Sequence, residues 1–315
     1  MARPLSLDRV ATYPLASRKS KVARAQLGRA HRRGDGLARF LDSLPRVLAG
    51  ETLRALRDEV LRGRARRRPV IWGLGAHVIK VGLSPVVVDL MERGYVTGVA
   101  LNGAGVVHDF EMAFAGQTSE DVGAVLGSGE FGMARETGEE VNRAIREGDA
   151  DGMGLGAAVG RHISRLAPPH VGVSLLAAAF RLGVPATVHV AVGTDVVHMH
   201  PACDPAAVGR TSHLDFRLFA GEVAELGGGG VYLNVGSAVV LPEVFLKAVT
   251  LARNLGHVLD DFATANLDFI QSYRASVNVV SRPTAGVGRG YALSGHHELL
   301  VPLLAAAVLE GVTTA

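Results

Sequence analysis

Pro-Val-Ile-Trp-Gly-Leu-Gly-Ala-His at 69–77 and Thr-Gly-Val-Ala-Leu-Asn-Gly-Ala-Gly at 97–105 decide the fold. Each is a short apolar run that ends in a Gly-rich turn and leads into a helical pattern. Between them Ser84 is placed to accept backbone N–H groups as an N-cap and Pro85 to take the first helical position, which predicts a helix to about Arg93. Strand, helix, strand in this order is a βαβ unit. Parallel strands joined this way form a sheet whose ligands sit beyond the strand carboxyl ends. The pattern recurs: 185–192 runs into Gly-Thr-Asp (193–195), 230–235 into Gly236-Ser237, and 276–280 into Ser281-Arg282-Pro283. Short buried strands alternating with longer helical patterns predict a doubly wound α/β domain, its sheet mostly parallel and its helices on both faces.

A chain of 315 residues with 48% hydrophobic content buries a large core, which excludes disorder over most of its length. No apolar run approaches the roughly 20 residues that span a bilayer, and the basic amino terminus is not followed by a signal-peptide hydrophobic region. A cytoplasmic protein with no membrane partner is expected. The single cysteine, Cys203, allows neither an internal disulfide nor a Cys-built metal cage. Residues 1–69 hold 18 Lys+Arg against 6 Asp+Glu, and the remainder 15 against 24. This split predicts a basic arm over 1–68 and an α/β body over 69–315, and an acidic body invites the arm to pack on it or on a neighbouring subunit. Arg62-Gly-Arg64-Ala-Arg66-Arg67-Arg68 has no aromatic interleaving and no recognisable nucleic-acid motif, so nucleic acid is the disfavoured partner.

Glu51–Leu61 is amphipathic, with Leu53, Leu56, Val60 and Leu61 on one stripe. Residues 117–167 break the strand rhythm as a helical insert, read as a lid or an oligomer contact: Thr118-Ser119-Glu120-Asp121 caps a helix, and Arg135–Glu147 is a charged helical face. Further helices are expected at 172–182, at 242–254, at 298–309, and from a capping box at Ser212 and Asp215 to Leu226.

The one literal Gly-x-Gly-x-x-Gly match, 127–132, follows a helical stretch rather than a strand and reads as a loop. Asp195, His198 and His200 follow the third strand. In extended backbone a His-x-His pair puts both rings on one face, so with Asp195 and His77 it reads either as a zinc or iron site or as the lining of a polar substrate pocket. Lys80 sits in an otherwise apolar turn, where desolvation would make its amine a nucleophile. His296-His297 reads as a cap region before the last helix.

In this order of elements the chain resembles deoxyhypusine synthase, an NAD-dependent enzyme that moves the aminobutyl group of spermidine onto a lysine of a translation factor. Gly105, Val106 and Asp109 fall on positions of the family's Thr-Ala-Gly-Gly-Val turn and the acidic residues after it, and Thr194-Asp195 on its Thr-Asp-Gly. Leu233–Pro242 is similar to the segment Ile-Leu-Gly-Gly-Gly-Val-Val-Lys-His-His, Ser281-Arg282-Pro283 to an Ala-Arg-Pro, and Pro302-Leu303-Leu304 to the terminal Pro-Leu-Leu helix. The resemblance implies NAD held by Asn102, Gly105, Asp109, Thr194, Asp195, Asn234, Gly236 and Ser237, with Asp109 or Asp195 on the ribose or on a cationic substrate. It also implies a small, amine-type substrate and a homo-oligomer (a tetramer in that family); from their own chemistry His198 or His200 is expected to serve as acid/base, with Lys80 as a further catalytic candidate. The family's catalytic lysine, in a Trp-Gly-Lys loop, has no counterpart: Gly286-Val-Gly288-Arg289-Gly290-Tyr291 stands there, and no lysine follows Lys247. The transfer chemistry is therefore expected to differ. A metal-dependent hydrolase or lyase and a non-catalytic binding or assembly protein are the competing readings.

Overall fold

The computed structural model describes residues 2–311, so 312–315 of the expected body lie outside the described residues. In the arm, α1 (Leu37–Ser43) and α2 (Leu48–Ala65) precede the first strand. β1 (Val70–Leu74), α3 (Ala76–Lys80), α4 (Ser84–Glu92) and β2 (Gly98–Asn102) form the βαβ unit, and α5 (Gly103–Ala115) follows without a break. The insert holds α6 (Val122–Val125), α7 (Arg135–Ala150) and α8 (Leu155–Leu166); α9 (Leu175–Leu182) then leads to β3 (Ala186–His189) and α10 (Pro205–Ala224). The chain closes with β4 (Val231–Val235), α11 (Val240–Asn254), β5 (Ala263–Asp268), α12 (Tyr273–Ala275), β6 (Arg289–Ser294) and α13 (His297–Glu310).

The sheet is parallel throughout, in the order β3-β2-β1-β4-β5-β6, with Trp72 in register with Val99 on one side and Leu233 on the other. Strand order reverses between β1 and β4, the place where doubly wound sheets open a crevice for ligands. Alternation along the strands splits the core. Val70, Trp72, Leu74, Val99, Leu101, Leu233 and Val235 face one helical layer, which draws on α2, α4, α5, α9 and α13. Ile71, Ala100 and Tyr232 face the other, with Phe219 of α10 and Phe245 of α11, whose ring stacks on Tyr232 at 3.9 Å.

Three expectations need correction. Ser276–Ser281 is a π-helical turn and not a strand; the strands of this region are β5 and β6. α10 begins seven residues before Ser212, at Pro205, with Asp204 accepting from the Ala206 and Ala207 N–H groups at 2.9 and 3.2 Å. Ser212 and Asp215 are free for another task. Asp215 Oδ2 accepts from the N–H of Val188 at 2.7 Å and of Gly156 at 2.9 Å, while Ser212 Oγ accepts from Val190 N–H and donates to Val188 O. Together they satisfy the outer edge of β3. Ser84 lies buried inside the first turn of α4, whose N-cap is Leu83.

The basic cluster of α2 packs on the body. Arg62 and Arg66 bond Asp261 at 3.0 and 2.9 Å, Arg64 lies 4.4 Å over the Tyr95 ring, and buried Glu59 binds Arg62, Arg289 and Tyr291. Ahead of it, Leu5, Leu7, Tyr13 and Leu15 stand exposed, Leu15 in a 3₁₀ turn. No helix among the described residues is long and apolar enough to cross a membrane.

Candidate functional site

β2 hands directly into α5, and the junction builds one wall of a cavity. Asn102 caps this helix, its side chain accepting from Gly105 N–H at 3.0 Å. The Asp195 carboxylate rests on the first turn, where a Cβ on Gly103 would lie 2.0 Å from Oδ2. Only glycine leaves that space.

Asp195 is buried, and burial pushes its pKa above the ordinary carboxylate value against the opposing pull of His198, the Ala104 N–H and the Thr194 hydroxyl. Its Oδ2 has no hydrogen-bond partner. His198 Nδ1 accepts from Gly193 N–H at 3.2 Å, so the ring proton sits on Nε2, which faces Asp195 Oδ2 at 3.9 Å.

Ala104, His108, Glu111, Glu120, Thr137 and Asp195 line a cavity of about 180 Å³ here, and an adjoining one of about 440 Å³ shares Glu111, Glu120 and Thr137. A hydrogen-bond chain runs along the wall. The Thr118 hydroxyl donates to Glu111 Oε2 and therefore accepts from His108 Nδ1–H at 2.7 Å, leaving the His108 Nε2 lone pair free. The Thr137 hydroxyl donates to Glu111 Oε1 at 3.2 Å. Burial, then the nearby Lys80 charge, pushes His108 down to about 4, so the ring is neutral at pH 7. Glu120 accepts from Gly132 N–H at 2.9 Å, a bond within the insert, which the Thr118 and Thr137 hydroxyls join to Glu111 of α5.

The remaining sequence candidates divide by what the fold asks of them. Asp109 is fully buried and spent: its oxygens accept from Ser174 Oγ, Leu175 N–H and Leu176 N–H at the start of α9, with burial pushing it up to about 6. It is out of a ribose's reach. Asn234 is also fully buried, donating to Ser237 O at 2.8 Å and Asn266 Oδ1 at 2.7 Å to tie β4 to β5. Ser237 Oγ is buried against Leu241 N–H, and Gly105 spends its N–H on Asn102. Thr194 is exposed at the cavity lip and donates to Ala191 O.

Lys80 is exposed at the end of α3, so solvent reaches the amine that was expected to be desolvated. Its charge reaches both His108 and the exposed His77, which joins the two halves of the rim. His200 lies against Gly138 of α7, away from His198, because Val196–His198 is a 3₁₀ turn rather than extended chain and the two rings do not share a face. The zinc or iron reading of Asp195, His198, His200 and His77 therefore fails. No three His, Cys, Asp or Glu side chains among the described residues come together to hold a metal. Residues 281–289, expected on the rim, precede β6 and lie at its amino end.

At the switch point, Gly75 N–H bonds Val235 O at 2.8 Å, and Gly236 turns at φ +71° beneath the buried ring of His297. His77 meets that ring edge-on at 5.5 Å. The N–H groups of Ala238, Val239 and Val240, opening the fifteen-residue α11, have no partner among the described residues. The reading from sequence did not find Glu111, Thr118, Glu120, Thr137 or His297. Glu111 carried a signal, standing three residues after His108 on one helical face.

No protein-family model and no curated protein matches the chain. Solved structures do. A "conserved putative LOR/SDH protein" from Methanococcus maripaludis S2 matches at 12% identity over 84% of this chain and 70% of that one, with a TM-score of 0.54. ArgZ, an arginine dihydrolase of the cyanobacterial ornithine-ammonia cycle, matches at 14% identity over 84% of this chain, with a TM-score of 0.52; the chain spans 34% of ArgZ. A "putative deoxyhypusine synthase" from Entamoeba histolytica matches at 10% identity over 89% of this chain and 95% of that one, with a TM-score of 0.50. At such identities the likeness is one of fold: the chain has a deoxyhypusine-synthase-like α/β fold.

Proposed function

We propose that the protein is an enzyme that binds a small cationic amine in the cavity beneath the insert and NAD or a related nucleotide along the rim of the sheet. The observation that carries this reading is the buried carboxyl group of Asp195, whose Oδ2 has no hydrogen-bond partner, at the wall of a cavity that Glu111 and Glu120 also line. A buried carboxylate oxygen without a donor costs free energy until one arrives, and an ammonium supplies both the proton and the charge. Asp195 anchors one ammonium, and Glu111 and Glu120 receive the other cationic end. His108 Nε2, neutral and unprotonated, is the acceptor for a proton on the substrate.

For the nucleotide, the unbonded N–H groups at the start of α11 fit a pyrophosphate. A solved complex of AgrE holds ornithine and NAD+, and that structure matches this fold at 13% identity over 82% of this chain with a TM-score of 0.52. NAD, when bound, supplies a hydride acceptor. The imine-forming lysine of deoxyhypusine synthase has no replacement here, because Arg289 sits at the amino end of β6 and its side chain is held by Glu59 and Asp261.

The test is thermal melting of wild type and Asp195→Asn with putrescine, spermidine, ornithine, NAD+ and NADH. At 100 times Kd a ligand adds ~2.7 kcal/mol to stability, a rise of several degrees in melting temperature. Amines are expected to raise the wild-type melting temperature and to lose this effect in Asp195→Asn, while the nucleotide effect persists. An amine effect equal in both proteins, or none in either, overturns the substrate assignment.

A further inference from the structure

β6 ends the sheet on the side away from β3, and nothing among the described residues pairs with its outer edge. The register is set by Arg289 N–H on Phe262 O and Gly295 N–H on Asp268 O, so residues 289, 291, 293 and 295 bond to β5. Along a strand the backbone groups alternate in direction. The N–H and C=O groups of Gly290, Ala292 and Ser294 therefore point away from the sheet, and no hydrogen bond among the described residues reaches them. All three residues are exposed.

Edges of this length are ordinarily blunted by lysine, proline, a bulge or a covering element. β6 has none of these. Its one charge, Arg289, is folded back onto Glu59 and Asp261, and its outward positions are Gly, Ala and Ser. Beside its carboxyl end an apolar patch stands in solvent: Phe269, stacked on His296 two residues beyond the strand, is 54% exposed, Ile270 64% and Leu299 68%.

We infer that two copies of this chain pair their β6 strands antiparallel about Ala292, joining two sheets into one across a twofold axis. Three features select a second copy. Centring on Ala292 sets Gly290 opposite Ser294 of the other copy and uses all three outward residues of both, as an isologous contact requires. With Arg289 neutralised inside each copy, the seam brings no like charges together. A foreign strand gains its specificity from side-chain pockets along the edge, whereas the cavities found over α5, over α9 and in the arm have no lining residue in β6.

Sedimentation equilibrium of the full chain tests this. Wild type is expected at twice the 33.0 kDa chain mass or a higher even multiple, and Ala292→Lys at half the wild-type mass with unchanged circular dichroism. In a Cys203→Ser background, Ala292→Cys is expected to form an intermolecular disulfide on mild oxidation, since the bonded pair sits with Cα atoms about 5.5 Å apart. Ser294→Cys should cross-link only when mixed with Gly290→Cys. A wild type at the single-chain mass overturns the inference, as does an Ala292→Lys protein of undiminished mass or self-cross-linking at 294 without cross-linking at 292. Loss of association on deleting residues 2–36, with Ala292→Lys still associated, assigns the seam to the arm and overturns it equally.

Discussion

The two edges of the sheet solve the same problem in opposite ways. At β3, α10 brings a carboxylate and a hydroxyl to the strand, and Asp215 and Ser212 take up the outward N–H groups of Val188 and Val190. At β6, the corresponding groups of Gly290, Ala292 and Ser294 meet solvent. One edge is closed from within, at the cost of a buried carboxyl group; the other, on the proposed pairing, is completed by a second molecule. The β3 end, next to Asp195 and the insert, is bonded by polar side chains of its own chain, and the β6 end would gain the corresponding bonds from the proposed pairing.

The sharpest way to break this comparison is Asp215→Ala, which strands the N–H groups of Val188 and Gly156 without partners. A loss of about 3–5 kcal/mol is expected in urea unfolding, against almost none for substitutions at 292. Second in size is the pH dependence. Burial raises Asp215 to about 7, so between its ordinary 3.8 and about 7 the folded protein keeps a proton that the unfolded chain releases. Stability from this group is complete at low pH and is lost as pH rises through that window. Measured as wild type minus Asp215→Asn, the stability difference is expected to fall by about 2–4 kcal/mol between pH 4 and pH 8. The opposite slope from His108 and His189, both lowered to about 4, is common to the two proteins and cancels. A flat difference would mean that Asp215 is not the proton-holding group.

Ser212→Ala removes one acceptor and one donor from the same edge, and a loss of about 1 kcal/mol is expected. The smallest effect belongs to the open edge. Ala292→Lys should change the unfolding free energy of the dissociated chain by less than about 0.5 kcal/mol while it dissolves the association. A large destabilisation there would mean that β6 is already sealed inside one copy.

How much of this was legible in sequence follows from which forces act locally. β1, β2 and β4 are apolar runs closed by glycine turns, and a run of that kind buried on both faces declares itself. β5, Ala-Thr-Ala-Asn-Leu-Asp, is just as buried but half polar, because Thr264 donates to Val279 O and Asn266 bonds Asn234 and Gln271. Those partners come from other segments, so composition hid the strand. Ser-Val-Asn-Val-Val at 276–280 shows the converse: β-branched residues suggest a strand, and packing against β5 and β6 makes the stretch helical. In the site, the placing of Asp195 and His198 after β3 was readable from a strand-end turn. The roles of Glu111, Thr118 and Thr137 were not, since their hydrogen bonds form only once the insert has folded onto α5. Asp109 and Ser237 show what sequence hides: their oxygens are taken up by Ser174, Leu175, Leu176 and Leu241, whereas Asn234 keeps a buried Oδ1 without a partner.

The stretch 117–134, which gives the cavity Glu120, Phe131 and Gly132, lies outside the strand succession and adds no residue to the buried core. On the proposed function, substitutions there are expected to alter what the cavity admits while the scaffold keeps its stability. Selectivity would then be a detachable trait, open to change without renegotiating the core.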